Sequence, residues 1–85
     1  MKYFVYVLLS KKDKKFYTGF TANLDERINE HNSGKVNSTR NRTPFELVYY
    51  EVCLNQHDAL HREKYLKTTY GKRYIRNRIK NFLNH

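Results

Sequence analysis

Apolar positions open the chain as a near-continuous block, Tyr3-Phe4-Val5-Tyr6-Val7-Leu8-Leu9, with no charged residue to mark an outward face. Such a valine-rich, aromatic run predicts a strand covered on both sides and hence central in its sheet. Lys11-Lys12-Asp13-Lys14-Lys15 interrupts it as a charged turn, and Phe16-Tyr17-Thr18-Gly19-Phe20 returns to strand composition, so the first twenty residues predict a β-hairpin. Gly19 in the second arm marks a bulge or a point where another backbone or a ligand comes close. Past the hairpin the pattern becomes helical. Asn23 followed by Glu26 is a helix-capping pair, Gly34 after Asn32-Ser33 is a natural stop, and Leu24, Ile28 and His31 recur along one face between them. Arg27 lies beside Ile28, so two polar residues share the face that packing should bury.

From Lys35 to Pro44 there is no hydrophobic periodicity, and Lys35, Arg40 and Arg42 stand without an acid, which predicts a mobile basic loop. Phe45 to Leu54 is aromatic and β-branched again, a third strand. From Gln56 or His57 onward a helix is expected, with Ala59, Leu60, Glu63 and Leu66 on one stripe. Gly71 is expected to break it, and Tyr74, Ile75, Ile79, Phe82 and Leu83 form the apolar face of a last helix. The chain has no internal repeat and no dividing linker, so its 85 residues are expected to form one domain, 1–85, around one core.

Composition narrows the class. Eight tyrosines and five phenylalanines supply the aromatic packing that a small core needs, and a lone Cys53 excludes both an internal disulfide and a cysteine-cluster zinc site. No apolar run approaches the roughly 20 residues of a membrane span, so a cytoplasmic protein without a membrane partner is expected. Net charge is +9, and from His61 to His85 eight basic residues face one acid, Glu63. So one-sided a distribution is the footprint of a protein that neutralises phosphates and releases their counterions.

Chemistry is sought where polar groups occupy apolar positions. Glu63, three residues from both Leu60 and Leu66, is turned toward the core by helical geometry, and a buried carboxylate needs a cation or a proton. An ion pair with Arg27 or Arg62 satisfies it, just as Arg27 can be a snorkelling edge residue and His31 a helix C-terminal cap. The four histidines lack zinc-ligand spacing, and no Ser, Cys or Thr stands in an activating motif. Tyr6 and Tyr17 fall on the two arms of the hairpin, where buried hydroxyls need partners.

Taken in order, these residues resemble the GIY-YIG nucleases. Phe4-Val5-Tyr6 stands where that family carries its first tyrosine motif and Tyr17-Thr18-Gly19 where it carries its second, with Phe4 in place of glycine and Thr18 in place of isoleucine. Arg27 and His31 match the helix pattern that follows, and Glu63 matches the lone acid. The likeness covers nearly the whole chain and is greatest to small single-domain members related to the N-terminal nuclease domain of UvrC. It implies an α/β (α+β) domain: a three-stranded, mainly antiparallel sheet flanked by about three helices.

What the resemblance implies further is a metal-dependent endonuclease acting on nucleic acid, DNA before RNA. Tyr6, Tyr17, Arg27, His31 and Glu63 would be catalytic, with one Mg²⁺, or Mn²⁺, on Glu63. Arg27 would grip the phosphate and Tyr6 act as base, with Tyr17 positioning water and His31 tuning or relaying a proton. Gly19 would keep the site open, and Lys35, Arg40, Arg42, Lys67, Lys72 and Arg73 would contact the substrate backbone. Some relatives carry a lysine where this chain has Phe20, so the field that favours the phenolate would come from Arg27, from metal-bound water or from another lysine such as Lys15 or Lys72. No helix-turn-helix or zinc-finger reader is evident, so high specificity would need a protein partner. The alternative is a nucleic-acid-binding module with the same fold and no cutting activity.

Overall fold

The computed structural model describes residues 1–84. β1 (Tyr3–Ser10) and β2 (Phe16–Thr21) form the expected hairpin, α1 (Leu24–Asn32) follows, and β3 (Phe45–Cys53) returns to the sheet. α2 (Gln56–Leu66), α3 (Thr69–Arg78) and a four-residue extension, α4 (Lys80–Leu83), complete the chain. The sheet order is β2-β1-β3, with both pairings antiparallel. The both-sided apolar run is therefore the central strand: Val5 and Val7 bury one face of it, Tyr6 and Leu8 the other.

Two clusters share that strand. Val5 and Val7 pack with Val48, Ala59, Leu66 and Ile75 beneath α2 and α3, while Tyr6 and Leu8 pack with Phe45 and with Leu24 and Ile28 of α1. The β1–β3 register slips between Val7 and Leu8, leaving Val48 as an extra residue. This bulge exchanges the faces of β3, so Phe45 points under α1 whereas Tyr49 joins the α2 side.

Three expectations change. The break between the last two helices falls at Lys67 and Thr68, where the Thr68 hydroxyl caps α3 by accepting from the Gly71 N–H. Gly71 is buried inside α3, and a Cβ there would fall onto the Tyr65 carbonyl and Leu66 Cα, so it is the residue that lets α3 cross the end of α2. Leu60, expected on the buried stripe, is exposed, leaving Ala59 and Leu66 as the anchors of α2. The basic loop is held at its middle and near its end: Thr39 is wholly buried, and Arg42 binds Asp13 at 2.6 Å and reaches the Lys15 carbonyl at 3.3 Å.

Candidate active site

Tyr6 stands opposite Gly19 in the β1–β2 ladder. A Cβ on residue 19 would fall onto the Tyr6 ring and hydroxyl, so glycine is what admits the phenol across the edge strand. The close approach expected at Gly19 is made by this ring. Tyr17 lies two residues away on the same face and meets the His31 ring edge-on at 5.0 Å.

His31 belongs to the last turn of α1, whose start is capped by the Asn23 side chain. Its position is fixed by the next residue, because Asn32 clasps the Phe45 backbone, donating to its carbonyl at 3.1 Å and accepting from its N–H at 2.7 Å. Tyr6, Tyr17 and Phe45 pack around the imidazole. Its nitrogens turn inward: Nε2 lies 2.8 Å from the Tyr6 hydroxyl and Nδ1 2.8 Å from Thr39 Oγ1. The helix-cap role open to His31 from the sequence is thus not the one its nitrogens take. Thr39 and Asn32 carry no such signal in the sequence, since polar residues at a helix end or in a loop read as solvated.

Arg27, one turn earlier, pairs with Glu30 at 3.0 Å, and its positive charge favours the ionised form of Tyr6. Burial pushes the Tyr6 phenol up to about 12; Arg27 pulls it down, while Tyr17 and Glu63 push it further up. Burial, followed by the charge of Arg27, holds His31 below the ordinary imidazole range, with Glu30 opposing. Arg27 is thus the cation that favours the Tyr6 phenolate, and burial outweighs it.

Glu63 reaches this region from α2. Its field is felt at Tyr6, its side chain is 19% exposed, and it pairs with Lys67 at 3.1 Å. Neither partner open from the sequence holds it, for Arg27 binds Glu30 and Arg62 binds Glu51 at 2.8 Å. No group of three or more His, Cys, Asp or Glu gathers among the described residues. That donor set suits only a hard cation that keeps most of its waters, with Glu63 as its protein ligand.

The basic residues divide. Lys15, Arg42, Lys72 and Arg76 line an open cleft with Phe16 and a single acid, Asp13. Arg42 joins the cleft to the site, since its guanidinium lies over the Phe45 ring that packs on Tyr17 and His31. Lys67 is committed to Glu63, Arg73 lies over the exposed Tyr70 ring at 5.9 Å, Arg40 is exposed, and Lys35 lines a hollow beside the acids of α1. No helix among the described residues is long and apolar enough to cross a membrane.

Comparison with known proteins places the chain in a family. Residues 2–81 match the family described as the GIY-YIG catalytic domain. A UPF0213 protein from Pediococcus acidilactici is 39% identical over 80 residues, covering 87% of this chain and 82% of the relative. Another, from Clostridium perfringens, is 46% identical over 65 residues, covering 75% and 69%. The solution NMR structure of a UPF0213 protein from Bacillus halodurans superposes with a TM-score of 0.56 at 36% identity, covering 88% of this chain and 82% of that one. The chain therefore belongs to the GIY-YIG catalytic domain family, among its small UPF0213 members.

Proposed function

We propose that the protein is a divalent-metal-dependent endonuclease that hydrolyses phosphodiester bonds of DNA, directed by substrate structure or weakly by sequence. The observation that carries this reading is the contact of an imidazole with the Tyr6 hydroxyl, within the fields of a guanidinium and a lone carboxylate and with Tyr17 alongside.

The Arg27–Glu30 pair is about a third exposed on each side, and such pairs contribute roughly 0–1 kcal/mol, so the guanidinium is free to exchange Glu30 for a phosphate. A phenol raised to about 12 does not ionise near neutrality by itself. Tyr6 instead passes its proton to His31 Nε2 as it takes that of the attacking water, whose oxygen bonds to phosphorus while the leaving P–O bond breaks. Tyr17 orients the water. Glu63 would hold one Mg²⁺ or Mn²⁺, giving up Lys67, and the ion would neutralise charge gathering on the phosphoryl oxygens. The cleft of Lys15, Arg42, Lys72 and Arg76 carries the flanking backbone, with Lys35, Arg40, Lys67 and Arg73 as outlying contacts and Gly19 as the open wall beside Tyr6. Site selection rests on substrate shape or a protein partner, and RNA is the competing substrate.

The test is incubation with supercoiled, linear, branched and single-stranded DNA, and with RNA, in Mg²⁺, Mn²⁺ or chelator. Metal-dependent nicking should fall roughly 10²- to 10⁴-fold in Tyr6→Phe and be lost in Glu63→Ala, while salt-sensitive binding persists in both. Cutting that survives chelation, or an unchanged rate in Glu63→Ala, removes this mechanism. Tight binding without cutting of any substrate favours the binding-module alternative.

A further inference from the structure

We infer that Thr39 is a positioning residue for this site, fixing the tautomer in which His31 accepts the Tyr6 proton; this rests on the reading of Tyr6 and His31 as the proton-accepting pair. Thr39 lies in the connection between α1 and β3 and is wholly buried. A tight turn holds it there, the Val36 carbonyl accepting from the N–H groups of both Thr39 and Arg40. Its Oγ1 is 2.8 Å from His31 Nδ1 and 3.4 Å from that same carbonyl.

Polar groups therefore run in one line: the Tyr6 hydroxyl, the His31 imidazole, the Thr39 hydroxyl and the Val36 carbonyl. Its last member is fixed by chemistry, since a carbonyl only accepts, whereas the first can donate or accept. A neutral imidazole fits between them in two ways. With the ring proton on Nδ1, Tyr6 donates to Nε2, His31 donates to Thr39, and Thr39 donates to Val36, so every hydrogen has an acceptor. With the proton on Nε2, bare Nδ1 can only accept, so the Thr39 hydrogen must turn to it and leave the Val36 carbonyl. The line is thus directional, and the ring nitrogen that carries the proton is set by the partner of the other. Remove the acceptor at Thr39, and Nδ1–H becomes the stranded group; the proton then moves to Nε2, where the ring no longer accepts from Tyr6.

The experiment reads the ring directly. In protein ¹⁵N-labelled at histidine, long-range proton–nitrogen correlations distinguish a protonated from an unprotonated ring nitrogen. The wild type should show His31 protonated at Nδ1 and bare at Nε2. Thr39→Val, which keeps the shape and removes the acceptor, should move the proton wholly or partly to Nε2. Plasmid nicking should fall roughly 10- to 100-fold, with the DNA KM held within about twofold, and Thr39→Ser should restore both signals. A wild-type ring protonated at Nε2, or a Thr39→Val ring unchanged from wild type, overturns the proposal. Should Thr39→Val fail to fold, the wild-type and Thr39→Ser spectra decide it, since both must show Nδ1 protonated. The spectra need no DNA, so they separate this inference from the nuclease reading: the expected tautomers without any cutting strike that reading alone.

Discussion

His31 sits among Tyr6, Tyr17, Phe45 and Thr39, with Arg27 and Glu30 as the charged groups of its own helix. Burial first, and Arg27 second, depress its folded pKa, so the unfolded chain binds this proton more readily than the native one. Its contribution to stability is thus full above the ordinary imidazole value of about 6.5 and is lost as pH falls through the lower folded value. Thermal melts of the wild type should lose Tm more steeply below that point than those of His31→Gln, in which the group is absent. Parallel profiles would show that His31 is not protonated on unfolding. Nicking should decline over the same range, because an imidazolium has no lone pair left for Tyr6. The site was legible at this scale wherever a polar residue broke an apolar pattern, as at Arg27, His31 and Glu63. The partner of Glu63 was open to the same reading, since Lys67 lies one helical turn on, at i+4, while Arg27 and Arg62 pack against other acids.

Among elements, the central strand was the most readable, because apolar residues at consecutive positions have few alternatives to burial on both sides. α1 was readable from its cap, where Asn23 accepts from Glu26 N–H as the residue types suggest. Gly71 misled because a glycine admits two physical readings, a flexible stop or a place where two backbones touch, and composition does not separate them. Gly71→Ala separates them by sign. At a helix terminus that merely needs flexibility, or on an open helix face, alanine is neutral or better by up to about 1 kcal/mol. Here the added carbon meets the Tyr65 carbonyl and Leu66 Cα, which are backbone atoms unable to rotate away, so α3 must lift from α2. A loss of roughly 1–3 kcal/mol in urea denaturation is expected; a gain would restore the helix-stop reading.

For the whole molecule, a net charge of +9 says that the partner is anionic without saying where it lies. The cleft at the turn of the hairpin gives the charge a direction, because its four cations border one acid and its wall ends at the rings around His31. Those cations are not equivalent. Arg42 holds Asp13, whose carboxyl its hydrogen bonds bring down to about 2, and also reaches the Lys15 and Phe16 carbonyls, so it ties the turn together. That pair stays ionised at any pH suited to DNA binding. Lys72 is exposed on α3 and has no acidic partner among the ion pairs of the described residues. Arg42→Ala should accordingly lower both Tm and DNA affinity, whereas Lys72→Ala should leave Tm in place and weaken binding across sequences. In a plot of log affinity against log salt, Lys72→Ala should flatten the slope by about 1, the value for one phosphate contact. If slope and affinity match wild type while Arg42→Ala loses both, Arg42 acts through the fold, and the phosphate backbone crosses the molecule by another face.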